Sequence, residues 1–122
     1  MRILTGIIFV VLMLAVTGSA VDLPEPQNTV NDYANAIDAS TTRTIRALSS
    51  ELYKSKSVNF KVAIVMTTAP DDPYVFGRAL YTKWDMGRTG RGGDRGVLLL
   101  VSVFERKAKV IVGEDIKSVL PE

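Results

Sequence analysis

Five of the nine glycines in this 122-residue chain fall within residues 87–96, and the uncharged run Val97-Leu98-Leu99-Leu100-Val101 follows at once. No other stretch limits the fold so strongly. Dense glycine admits positive φ and close approach of other groups to the backbone. An apolar run of that length after a turn cluster suits a central strand covered on both faces. The order of elements argues against a nucleotide fingerprint. Phosphate-binding loops set their glycines after a strand and before a helix whose N-terminus faces the phosphates. Here the helical segment comes first, the strand comes after, and no Gly-Lys-Ser/Thr is present. Asp94 is the only acid of the loop and stands among Arg88, Arg91 and Arg95. A loop holding one carboxylate at the mouth of a buried strand is a candidate site for binding or chemistry, and a plain helix-to-strand connection fits equally well.

The flanking segments supply the remaining layers. Residues 58–68, rich in β-branched side chains and nearly free of charge, read as a strand. Pro70 to Pro73 breaks it, and Pro73 suits the first turn of a helix capped by Asp72. Phe76, Ala79, Leu80 and Trp84 fit i, i+3, i+4 and i+8, which predicts a helix to about Met86 with Gly87 as its stop. Upstream, Asp38 or Ser40 caps a second helix, in which Ile45, Leu48 and Leu52, with Tyr53 beside them, form a core-facing stripe. Asn31 and Asp32, before it, are turn formers whose simplest role is to bond the local backbone. Phe104-Glu105-Arg106-Lys107 is polar enough for a turn between strands at 96–103 and 108–112, which makes those two antiparallel neighbours. Strand, helix and strand from residue 58 to 103 form a βαβ unit with parallel strands and a right-handed crossover. The predicted fold class is α/β: a small mixed β-sheet, a βαβ unit plus an antiparallel hairpin, with helices packed on it.

Residues 1–20 start with Met1 and Arg2, continue in an apolar run to Val16, and exit through Gly18 and Ala20 at signal-peptidase spacing. They read as an export signal, and the run is short for a membrane anchor, the other reading of an uncleaved segment. Residues 21–29, with Pro24 and Pro26, read as an extended linker, and the domain occupies 30–122. Lys plus Arg is 15 against 13 for Asp plus Glu, a net charge of +2, so nothing demands a nucleic-acid partner. There is no Cys and no His. That removes thiolate nucleophiles, disulfides, Ser-His-Asp catalysis and imidazole metal ligands. Catalysis would rest on carboxylates, Lys, Arg, hydroxyls or a hard cation held by oxygen ligands.

An ordered series of motifs resembles a known family. It runs Val30-Asn31-Asp32-Tyr33-Ala34, Val62-Ala63-Ile64-Val65, Trp84 and Gly87, Asp94-Arg95-Gly96 with the following apolar run, Glu105-Arg106-Lys107, and Val112-Gly113. Together these resemble the TPM domain family of exported or membrane-anchored bacterial and thylakoid-lumen proteins, whose fold is a small α/β sandwich. Two departures stand out: Arg95 where the family usually has Asn, and Gly113-Glu114-Asp115-Ile116-Lys117 where it usually reads Gly-x-Gly-Leu-Glu. The family also continues into further C-terminal helices. The expectation is therefore that this chain is a fragment, or is completed by a partner or by self-association through an uncovered sheet face.

The resemblance implies two functions. One is a non-enzymatic extracytoplasmic module that supports assembly, repair or turnover of membrane protein complexes, with a membrane-proximal protein as partner. The other is a divalent-cation-dependent acid phosphatase, with Ca²⁺ or Mg²⁺ held by Asp32, Asp94 and Glu105 and Arg91 or Arg95 on a phosphate. Three carboxylates from separate loops serve one hard cation only if those loops converge. Otherwise Asp32 is a capping or turn residue, Asp94 pairs with a neighbouring Arg, and Glu105 is solvated.

Overall fold

The computed structural model describes residues 23–26, 28–88 and 93–117. The expected signal, residues 1–20, lies outside them, as do Arg91 and residues 118–122. Four strands form one sheet in chain order: β1 (Val30–Asp32), β2 (Asn59–Val65), β3 (Gly96–Ser102) and β4 (Lys107–Val112). The first three are parallel and β4 runs antiparallel to β3. Helix α1 (Ala39–Lys56) joins β1 to β2, and α2 (Pro73–Lys83) joins β2 to β3. The mixed α/β sheet with its βαβ unit and hairpin is the architecture indicated by the sequence. Its additional strand is β1, from the segment that reads as a turn. Asn31 does both jobs: its buried amide donates to Asn28 O at 2.7 Å and to Val62 O, on the neighbouring strand, at 3.2 Å.

Register fixes the faces. Phe60 pairs with Val97 and Val97 with Val112, so all three point the same way. They meet Leu52 of α1, with Val58 and Ile116, in one apolar cluster. Ala63 pairs with Leu100 and Leu98 with Ile111, pointing to the other side, where Phe76, Leu80 and Trp84 complete the larger core. The two helices thus cover opposite faces, and β3 is sandwiched as its unbroken apolar run requires. Because β1, β2 and β3 step across the sheet in one direction, crossovers on opposite faces have opposite hands. The right-handed rule holds for only one of them.

The apolar stripe of α1 is displaced from its predicted position. Leu48 is 58% exposed and Tyr53 41%. The packed side instead carries Thr42, Ile45, Ser49 and Leu52. Ser49 is buried, and its hydroxyl donates to Phe60 O at 2.9 Å. A serine at the contact brings the helix to the sheet backbone through a hydrogen bond, a face that counting apolar residues does not find. Asp38 caps α1 through Thr41 N–H at 2.7 Å.

Helix α2 starts as predicted, with Asp72 accepting from Tyr74 N–H at 2.9 Å and Pro73 in the first turn. It ends earlier than Met86. Asp85 takes φ 53°, its N–H bonds Thr82 O at 3.0 Å, and Met86 N–H returns to Tyr81 O at 3.1 Å. That paired arrangement closes a helix with a left-handed residue and a buried apolar one after it, and Met86 is fully buried. Residues 23–25, in the segment read as a linker, are fastened to the domain. Trp84 Nε1 donates to Pro24 O at 2.8 Å, Lys83 Nζ to Leu23 O at 2.6 Å, and Tyr33 to Glu25 O.

Candidate functional site

In an open sheet with parallel strands, ligands bind beyond the carboxyl ends of the strands. Asp32 and Glu105 both stand at that end. Asp32 closes β1, and its carboxylate accepts from Ala36 N–H at 2.9 and 3.0 Å and from Ile37 N–H at 3.0 Å. Partial desolvation pushes its carboxyl up, but the backbone N–H groups of Ala36, Ile37, Ala34 and Asn35 outweigh that and hold it below the usual range. The loop before α1 is folded around this carboxylate. Glu105, in the β3–β4 turn, accepts from the hydroxyls of Ser102 and Thr67 and from Thr68 N–H at 3.1 Å. Those donors, Ser102 first and Thr67 second, hold its carboxyl at about 2. Glu105 thereby staples the hairpin to the segment leaving β2.

Asp94 is at the other end. Two residues before β3, it is separated from Glu105 by the length of that seven-residue strand, about 20 Å at the usual rise of a strand. The structure does not bring the three candidate carboxylates together, and among the described residues no group of three or more acids forms a metal-sized cluster. Asp94 accepts from the Tyr81 hydroxyl and, at 3.4 Å, from Glu114 N–H. Its own N–H donates to Asp115 Oδ2 at 2.6 Å, and Asp115 N–H returns to Asp94 O at 3.0 Å. Burial, and then the bond to Asp94, push the Tyr81 phenol well above its ordinary value. These contacts tie the end of the glycine loop to the exit of β4. Glycine is needed at two neighbours: a Cβ on Gly113 would lie 2.3 Å from Asp94 O, and one on Gly96 would lie 2.6 Å from Met86 O.

The arginines around Asp94 do not pair with it among the described residues. Arg88 bridges Asp85 at 3.5 Å. Arg95 reaches across to the end of α1, donating from Nη2 to Lys56 O at 2.6 Å and from Nε to Ser57 O at 3.3 Å. A cation there complements the negative end of the helix dipole. Arg95 is therefore spent on structure, and Arg91 lies outside the described residues. Tyr81, Thr67 and Ser102, the hydroxyl partners of these acids, carry no sequence signal beyond their type.

A groove of about 570 Å³ opens between α2 and β4, bordered by Tyr74, Arg78, Thr82, Val110, Val112 and Lys117. No helix among the described residues is long and apolar enough to cross a membrane.

The TPM domain profile matches residues 30–122, so it takes in the sheet, both helices and all three acids. The chain belongs to the TPM domain family. Two solved structures share the fold of this TPM domain. The N-terminal domain of a Porphyromonas gingivalis protein aligns at 18% identity with a TM-score of 0.66, over 74% of this chain and 56% of that one. The N-terminal domain of a Corynebacterium glutamicum protein aligns at 19% identity with a TM-score of 0.61, over 78% and 60%. The chain thus spans little more than half the length of those structures, and at such identities the likeness concerns the fold alone. No curated protein matches the chain.

Proposed function

We propose that this TPM domain is a non-enzymatic, extracytoplasmic module that supports the assembly, repair or turnover of membrane protein complexes. The observation that carries this reading is how the candidate acids are used. Asp32, Asp94 and Glu105 each accept hydrogen bonds from the domain's own N–H and O–H groups, and they hold three separate loops at two ends of the sheet. Side chains spent in this way build rigid loops. Export through residues 1–20 would place the module outside the cytoplasm.

The experiment is complementation. Cells lacking the chain should recover membrane protein complexes slowly after damage, and the wild-type chain should restore the rate. A folded Asp32→Asn variant should restore it equally, since an amide oxygen still accepts from the loop N–H groups. Loss of rescue by a folded Asp32→Asn chain would sink the non-enzymatic reading.

The second reading, a divalent-cation-dependent acid phosphatase, is favoured by one specific feature. Asp32 and Glu105 stand at the same end of the sheet, and hydrogen-bond donors hold both carboxyls below their usual range. Calorimetry with Ca²⁺ and with Mg²⁺ tests it: binding lost in both Asp32→Asn and Glu105→Gln supports that reading, and no heat with the wild-type chain removes it. Asp94→Asn should leave such binding unchanged, because Asp94 is at the opposite end.

A further inference from the structure

Among the described residues strand β4 is an edge of the sheet, with β3 on one side only. Its ladder can be phased. Gly113 N–H donates to Gly96 O at 2.8 Å, and in an antiparallel pair hydrogen-bonded and non-hydrogen-bonded positions alternate. Ile111, Lys109 and Lys107 therefore turn their N–H and C=O groups toward β3. Ala108, Val110 and Val112 turn theirs outward, and Val110 and Val112 border the groove that α2 walls on its far side.

The side chains divide by the same alternation. Lys107 and Lys109 pair with Ser102 and Leu100, so they point to the α2 side, where Arg78 also borders the groove. None of these three cations has an ion pair among the described residues. The groove's own charges are otherwise engaged, since Lys117 pairs with Glu114 at 2.8 Å and Asp94 is bonded to Tyr81. On the other side of β4, Ala108 and Val110 present apolar surface, with Val110 54% exposed, and half-buried Val112 continues it into the smaller cluster.

We infer that the groove between β4 and α2 takes an extended peptide segment of a partner protein as a fifth strand, with acidic and apolar residues alternating. Main-chain bonds to Ala108, Val110 and Val112 would give affinity, as in other cases of strand addition to a sheet edge. Acids at every second position would meet Lys107, Lys109 and Arg78, and the residues between them would cover Ala108, Val110 and Val112. A second copy of β4 is the poorer occupant, because edge lysines oppose pairing with another lysine-bearing edge. The inference rests on the reading of the chain as a binding module and names the chemistry of its partner.

The probe is a capped hexapeptide alternating glutamate and valine. Its controls are a block peptide of the same composition and a lysine–valine alternation. With the full chain labelled with nitrogen-15, the alternating acidic peptide should shift the amides of Ala108, Val110 and Val112 and slow their hydrogen exchange, and neither control should. Val110→Pro removes an outward N–H without breaking the ladder to β3, a position that tolerates proline. It should weaken binding at least tenfold while circular dichroism and the unfolding midpoint confirm the fold. Arg78→Glu should weaken it comparably, with the difference from wild type shrinking as salt rises.

Equal binding by Val110→Pro, equal binding of the lysine peptide, shifts confined to other elements, or chain dimers through β4 that exclude peptide would each overturn the inference. The complementation experiment separates the two levels. If the wild-type chain rescues membrane complexes and Val110→Pro rescues as well, the groove is wrong and the module reading stands. If the peptide binds at β4 and the wild-type chain rescues nothing, the groove stands and the module reading fails.

Discussion

Gly77 lies in the middle of α2, where glycine costs roughly 1 kcal/mol relative to alanine. An isolated helix would gain from Gly77→Ala. In this domain a Cβ at that position would sit 2.6 Å from Ile111 Cδ1 and 3.3 Å from Leu100 Cδ2. Ile111 is 8% exposed and Leu100 fully buried, so the isoleucine must leave its packed position against Leu100, and only the groove it borders offers it room. Overpacking a closed core costs about 1–3 kcal/mol. The clash should win, and Gly77→Ala should destabilise the domain by roughly 1 kcal/mol net. Ile111→Val deletes the offending methyl and alone costs about 1 kcal/mol. In the double variant the clash is gone and the helical gain returns, so it should be no less stable than Ile111→Val. The coupling energy should be about 2 kcal/mol in favour of the pair. Urea unfolding of the four proteins, fitted with a common m-value, measures it. Additivity within about 0.5 kcal/mol, or a Gly77→Ala chain as stable as the wild type, would refute the close-packing argument. It would also remove the reason α2 approaches β4 closely enough to wall the groove.

Glu105 has a folded pKa of about 2, below its unfolded value, so its stabilisation is present above the unfolded value of about 4.5 and fades as pH falls toward 2. Glu105→Gln should flatten that part of the stability curve, measured as unfolding midpoint against pH, and an unchanged acid limb would contradict the staple. Tyr81→Phe removes the hydroxyl that holds Asp94, and the Asp94 and Asp115 amides should exchange faster with solvent while those of β3 do not. Deleting residues 21–26 takes away the carbonyl bonded to the Trp84 indole, so tryptophan emission should shift to the red; no shift would mean the segment is not docked in solution. N-terminal sequencing of the exported chain should begin at Val21, and exported material beginning at Met1 would rule out cleavage after Ala20.

What could be read in the sequence follows from which forces are local. The apolar run of β3 and the Asp38 and Asp72 caps depend on neighbours in the chain, as does the four-residue link to β4, which lies one residue before the turn read from the sequence. The run and both caps are found where the sequence implies. Strand β1 is three residues long and holds no alternation to detect, since parallel pairing with β2 decides it. The packed face of α1 was hidden for a related reason. Its central contact is a serine bonded to a sheet carbonyl, so the apolar residues Leu48 and Tyr53 pull a periodicity reading toward solvent.

The acids show the limit most clearly. Their residue types are visible, but a ligand set requires convergence, and convergence is a property of the sheet. Strand direction alone separates them: Asp32 and Glu105 follow parallel strands at their carboxyl ends, whereas Asp94 precedes β3 at its amino end. Once three parallel strands are accepted, a single three-carboxylate centre is ruled out before any distance is measured. The same reasoning turns attention to β4, where antiparallel alternation puts cations on one side, apolar side chains on the other and free peptide groups between them. A strand with those three properties at an open edge is specified for a chain of the opposite charge pattern more narrowly than any of the acids is specified for a metal.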